Sequence, residues 1–158
     1  MRKRIFILVV AVVFTLALAA CSGKSADDDA QAAIVDADVV IAKNTISETA
    51  QFIPVEVDGT LLEIIAVTAP DGTIRTAFNT CQVCYDSGRG YYKQDGDVLV
   101  CQNCGNRFKM SQVEVESGGC NPVPLWDEWT TETEDTITIP LTLLQEAKEI
   151  FGNWKTEY

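Results

Sequence analysis

The sequence predicts a β-rich α+β domain: an antiparallel sheet with an inserted zinc-ribbon-like hairpin that carries four cysteines, and one helix near the C-terminus. Three observations predict it. Runs of β-branched residues are separated by Asp-Gly turn signals through the first half of the chain. Two Cys-x-x-Cys pairs follow, Cys81 with Cys84 and Cys101 with Cys104. Apolar residues then recur at helical spacing between positions 143 and 151.

The N-terminus has the composition of an export signal. Arg2, Lys3 and Arg4 precede an apolar run from Ile5 to about Ala20. The following Leu18-Ala19-Ala20-Cys21 resembles the lipobox of bacterial lipoproteins, in which the cysteine becomes the lipid-bearing first residue. A single transmembrane anchor is the alternative, but the run is short for a bilayer span and leaves the cysteine without a role.

These features predict an organisation in three parts. We expect a signal peptide at residues 1–20, a lipid-anchored flexible tether at 21–34 and a folded domain at 35–158. The protein would then lie on the extracytoplasmic face of the cell membrane, attached through a lipid on Cys21. Because the formal net charge of the chain is −11, we expect no nucleic-acid partner.

The first predicted strands build a sheet that leads to the cysteines. Strand patterns cover residues 38–41, 52–57, 61–67 and 73–78, and the second and third are joined by Asp58-Gly59. The last of these strands leads the chain to Cys81. Next, residues 91–94 and 97–100 flank Asp95-Gly96, which predicts a hairpin with one cysteine pair at each end.

The C-terminal region predicts one more strand and the helix. Residues 137–139 form the strand pattern. Thr142 and Gln145 then have the spacing of a capping box, and the apolar positions up to Phe151 are followed by Gly152. We expect this helix to pack on the sheet.

The two cysteine pairs have the spacing of a four-thiolate metal site. Two cysteines three positions apart can direct both sulfurs at one point, and two such knuckles supply tetrahedral sulfur ligation. Gly105 follows Cys104, where a positive φ would let the backbone fold beneath the metal. Two structural disulfides are the alternative, although one metal explains facing knuckles more simply.

Cys120 is a fifth cysteine of the exported domain, within a segment whose glycines and prolines predict a fixed, irregular backbone path. Its role is open between a fifth ligand, a nearby redox thiol, half of a disulfide and a plain buried thiol.

The chain contains no histidine, which limits the chemistry open to it. Histidine, the commonest general base, is absent. Without it the chain cannot form a Cys-x-x-Cys-His haem-attachment motif or a zinc site with mixed cysteine and histidine ligands. Disulfide exchange by a Cys-x-x-Cys pair is the enzyme hypothesis that survives, but its usual βαβ context is not predicted here. We therefore predict no catalytic residues.

Three segments together resemble the FtrD-like family of membrane iron-sulfur containing proteins. They are Arg75–Cys84, Val100–Phe108 and Gly118–Leu125, and the resemblance extends over about residues 37–152. It implies that Cys81, Cys84, Cys101 and Cys104 are metal ligands and that Cys120 belongs to the same signature. It further implies a role in iron uptake or electron transfer, with an iron permease or a redox protein as partner.

The identity of the metal stays open at this stage. Sulfur ligands suit zinc, copper(I), a single iron or an iron–sulfur cluster. Arg2 and Arg4 are separated by Lys3, so no twin-arginine signal for export of a folded protein is present, which favours a metal acquired outside the cytoplasm. A structural zinc-ribbon interaction module without a redox role is the competing prediction.

Overall fold

A computed structural model describes residues 31–156. Within this range the chain is β-rich, with antiparallel sheets and one short C-terminal α-helix, as the sequence predicts. The predicted signal peptide, the lipidation site Cys21 and most of the predicted tether lie outside the described residues. The strands and the helix are Ile34–Val35 (β1), Val39–Ala42 (β2), Gln51–Val57 (β3), Thr60–Thr68 (β4), Ile74–Cys81 (β5), Tyr92–Asp95 (β6), Val98–Cys101 (β7), Arg107–Lys109 (β8), Pro122–Pro124 (β9), Thr131–Glu132 (β10), Thr136–Ile139 (β11) and Leu141–Ala147 (α1).

A five-stranded sheet in the order β1-β3-β4-β5-β9 forms the centre of the domain. All of its strand pairs are antiparallel except β1 with β3, which is parallel. The turn between β3 and β4 is Asp58-Gly59, with both residues at positive φ, as a two-residue type I′ hairpin requires. The predicted turn signal is therefore confirmed at these two residues.

The central strand β4 is buried on both faces because a layer packs against each side of the sheet. One face, which carries Ile64, contacts α1 and the strands β2 and β11. The other face, which carries Ile65 and Val67, contacts the three-stranded sheet β6-β7-β8. Burial of the apolar run from Ile64 to Val67 on two faces places β4 at the centre of the core. The cysteines belong to the second of these two interfaces.

Three local predictions need correction. The two-residue turn between β6 and β7 is Gly96-Asp97 rather than Asp95-Gly96, since Asp95 pairs with Val98. The first cysteine pair lies at the end of β5 rather than at an end of the β6-β7 hairpin. The region from Cys120 to Pro124, predicted to be irregular, contains the edge strand β9.

The predicted capping box on the C-terminal helix is also wrong. The helix begins at Leu141, so Thr142 lies inside it rather than at its N-terminal cap. The backbone amide of Leu141 instead donates to Asp38 Oδ1 at 2.8 Å. A carboxylate from a distant part of the chain thus satisfies a free amide at the start of the helix.

Candidate metal centre

The first knuckle forms where β5 ends at Cys81. A tight turn carries the chain to Cys84, whose backbone amide lies 3.4 Å from the sulfur of Cys81. The amide of Cys81 donates to the Gly90 carbonyl at 2.6 Å, which closes the loop after the knuckle. A side chain at position 90 would place its Cβ 2.5 Å from the carbonyl oxygen of Cys84, so this close approach requires glycine.

The second knuckle repeats this arrangement at the end of β7. The amide of Gly105 donates to the carbonyl of Cys101 at 2.9 Å, and Gly105 has a φ of +74°, as predicted. The amide of Gln102 donates to the Tyr91 carbonyl at 2.8 Å. Because Tyr91 directly precedes β6, this bond connects the second knuckle to the segment that follows the first.

Cys120 reaches the same place through the pairing of β9 with β5. In that pairing Pro122 lies opposite Cys81, and the Gln82 amide donates to the Asn121 carbonyl at 3.0 Å. The carbonyl of Cys120 accepts two hydrogen bonds, from the Tyr92 hydroxyl at 2.7 Å and from Asn106 Nδ2 at 2.8 Å. The loop that carries Cys120 is thus held by the hairpin and by the second knuckle.

The five sulfurs form two overlapping groups that share Cys84. The sulfurs of Cys81, Cys84 and Cys101 all lie within 4.8 Å of one another, and so do those of Cys84, Cys104 and Cys120. The Cys84 and Cys120 sulfurs are 4.0 Å apart, in contact but far beyond the length of a disulfide bond. The structure therefore brings together all five residues predicted for the site, while their role as ligands stays a prediction.

The cluster is closed towards the core and open at one edge. Cys81, Cys84 and Cys101 are buried, Cys120 is half-buried and Cys104 is exposed. Val83, in the first knuckle, is 61% exposed, so each knuckle has a residue at the surface. A group bound by these sulfurs would be shielded by the sheets and would still have one ligand at the surface.

The thiols differ in how readily they ionise. Burial opposes ionisation of Cys81, but the neighbouring Tyr92 hydroxyl and hydrogen bonds from backbone amides outweigh it and lower the pKa of Cys81. The pKa of Cys104 is also lowered, chiefly because the Asn106 amide donates to its sulfur. Burial raises the pKa of Cys84, and it raises that of Cys101 to about 12. A metal that binds these thiols must displace protons, so its affinity should fall as the pH falls.

Tyr92 and Asn79 support the site, and sequence reasoning missed both. Tyr92 is buried, and burial followed by the neighbouring Cys81 sulfur raises its pKa, so its hydroxyl stays protonated and able to donate. Its backbone amide donates to Asn79 Oδ1 at 2.7 Å, and Asn79 Nδ2 donates to the buried carboxylate of Glu63 at 2.5 Å. The signal in the sequence was a polar Asn79 between the predicted strand and Cys81, since buried amides need partners.

The donor set fits a thiolate-bound metal or an iron–sulfur group. The donors are all sulfur, and backbone amides donate to the sulfurs in both knuckles, which stabilises thiolates. No other group of three or more metal-ligating side chains occurs within residues 31–156. In that same range, no helix is both long and apolar enough to cross a membrane.

Comparison with known proteins gives one family and a partial structural likeness. Residues 45–151 match the model of the family described as "Membrane iron-sulfur containing protein FtrD-like". No curated protein gives a significant match. Among solved structures, a quaternary ammonium Rieske monooxygenase crystallised with an inhibitor aligns with 66% of this chain, at 19% identity and a TM-score of 0.42. The chain spans 31% of the length of that monooxygenase.

Proposed function

Because the chain belongs to the FtrD-like family of membrane iron-sulfur containing proteins, we propose that its cysteine cluster binds an iron–sulfur group and transfers electrons in support of iron handling at the membrane. The observation that carries the proposal is the convergence of five sulfurs, without any histidine in the chain, at a site buried on one side and exposed at Cys104. A closed structural zinc site does not require an exposed edge.

In this proposal the two knuckles supply the ligands. Cys81, Cys84, Cys101 and Cys104 would hold the group, and Cys120 would be a fifth ligand or a neighbouring thiol. An iron–sulfur group, once bound, supplies a reversible electron-transfer couple. The residues around the cluster would tune the reduction potential of that couple. Burial lowers the local dielectric constant, and amide and hydroxyl donors stabilise negative charge on sulfur.

Electron exchange would take place at the exposed edge of the cluster. Cys104 is the ligand candidate in contact with solvent, whereas β5 and β7 keep Cys81 and Cys101 away from it. A redox partner or an iron permease would dock over this edge. We also propose that the protein acts on the extracytoplasmic face, anchored through a lipid on Cys21.

A redox titration of protein purified without oxygen tests this function. We expect a coloured protein whose visible absorption decreases on addition of dithionite and returns on reoxidation. A protein whose absorption does not respond, or that is colourless and contains zinc, would instead support the structural zinc module.

A further inference from the structure

A large cavity lies beside the second knuckle, outside the cysteine cluster. Its volume is about 760 Å³, within the range of small-molecule sites. Six side chains that line it are those of Ser87, Arg89, Tyr91, Asn103, Lys155 and Thr156. Asn103 lies between Cys101 and Cys104, so the cavity borders the loop of the candidate metal centre.

Every side chain among these six offers a hydrogen-bond donor, and two of them are cations. The hydroxyl groups belong to Ser87, Tyr91 and Thr156. No carboxylate lines the cavity among the described residues, although the chain has 23 acidic residues against 12 basic ones. This cavity is lined by two cations and, among the described residues, by no carboxylate, although the chain has a net negative charge. Such a lining is suited to bind an anion.

Arg89 is the cation best placed to take a ligand. Its side chain is exposed, and it forms no ion pair with a carboxylate within residues 31–156, whereas Lys155, the other cation of the cavity, is paired with Glu63. A guanidinium binds a carboxylate through two parallel hydrogen bonds. Lys93, which forms no ion pair within residues 31–156, lines an adjoining cavity that shares Tyr91 and Lys155 with the first and that also contains the Glu63 carboxylate.

Lys155 is held in place without being neutralised completely. Its ammonium lies 4.1 Å from the centre of the Trp154 ring and 3.0 Å from a carboxylate oxygen of Glu63. Its backbone amide donates to the Gly88 carbonyl at 2.8 Å, which fixes the C-terminal segment to the loop after the first knuckle. An ammonium has three donors, so Lys155 can still donate towards the cavity.

We infer that this cavity binds a small organic polycarboxylate anion. Its volume exceeds that of inorganic phosphate, and Arg89 with Lys155 can pair with two carboxylates of one ligand. The bound anion would contact Asn103 and so lie against the loop that joins Cys101 to Cys104. This inference does not depend on the nature of the group held by the cysteines.

Calorimetry on the metal-loaded chain tests the inference. The probe is propane-1,2,3-tricarboxylate, which lacks the hydroxyl of citrate and is a weak iron chelator. We expect binding at low ionic strength, weakened about tenfold or more in Arg89→Gln, because a bidentate charged contact is lost. Lys109→Gln is the matched control, since Lys109 is an exposed cation that does not line the cavity, and it should leave the affinity unchanged.

Three results would overturn the inference. The first is the absence of binding at concentrations up to about 10 mM. The second is an equal loss of affinity in Arg89→Gln and Lys109→Gln, which would indicate attraction by charge alone. The third is inorganic phosphate binding as tightly as the tricarboxylate, which would assign a simple phosphate site instead.

Discussion

At the scale of single residues, the hydroxyl of Tyr92 connects parts of the site that come from three segments of the chain. It donates its one proton to the Cys120 carbonyl, and its position beside Cys81 also lowers the pKa of that thiol. The backbone of the same residue pairs with Cys101 across the hairpin. One buried side chain thus connects both knuckles and the loop of Cys120.

Tyr92→Phe should make the reduction potential of the proposed bound group more negative, because loss of the polar hydroxyl beside Cys81 disfavours the reduced, more negative form. It should also lower the free energy of unfolding by about 1 kcal/mol, the usual value of one hydrogen bond. Voltammetry and denaturant unfolding measure the two effects. Tyr91→Phe is the control, since Tyr91 is only half-buried, and an unchanged potential in Tyr92→Phe would contradict this role.

Cys120 differs from the four knuckle cysteines in its position in the chain. It lies outside the two Cys-x-x-Cys knuckles, which by themselves supply the four sulfurs of a tetrahedral site. We therefore expect Cys120→Ser to keep its metal, whereas Cys104→Ser should lose it. Metal analysis after gel filtration distinguishes them, and complete loss from Cys120→Ser would make this residue an essential ligand.

At the scale of elements, the first knuckle depends on the close approach of Gly90 to Cys84. Gly90→Ala should destabilise the domain by about 2 kcal/mol or more, because the backbone of the knuckle would have to move. Gly152→Ala is the matched control, since a Cβ there would meet its nearest atom at 3.7 Å and Gly152 has a helical φ of −55°. Thermal unfolding compares the two variants, and equal melting temperatures would contradict the steric argument.

The helix α1 depends on a residue far away in the sequence. Asp38→Ala should lower the free energy of unfolding by about 1 kcal/mol through loss of its bond to the Leu141 amide. Thr142→Ala should change it by less than about 0.5 kcal/mol, because Thr142 is an exposed residue inside the helix. Urea unfolding measures the change in both variants. A larger loss of stability in Thr142→Ala than in Asp38→Ala would support the capping box instead.

Local sequence signals predicted most of the strands and the helix. The features that these signals did not predict depend on contacts between residues far apart in the sequence. Asp58-Gly59 and the β-branched runs of β3 and β4 identify their hairpin because the signal and the structure are adjacent in sequence. The cap from Asp38 has no such signal, since the competing Thr142 pattern is closer to the helix. The convergence of Cys120 with the knuckles follows only once β9 pairs with β5, and two prolines conceal that edge strand.

At the scale of the whole molecule, the two faces of the central sheet pack against different layers. One face packs against α1 and forms a core of ordinary aliphatic and aromatic residues. The other face packs against the hairpin sheet, and Cys81, Cys84 and Cys101 are part of that second core. In the proposed function, metal binding and packing between the two sheets use the same residues, so removal of the metal should loosen the hairpin sheet more than the helical side.

The central claim is that the converging cysteines hold an iron–sulfur group, and the content of iron and acid-labile sulfide per chain tests it most directly. We predict that protein purified without oxygen contains both in equal amounts, and that Cys81→Ser loses both while the core between the central sheet and α1 stays folded. Zinc in place of iron, without sulfide, would contradict the claim.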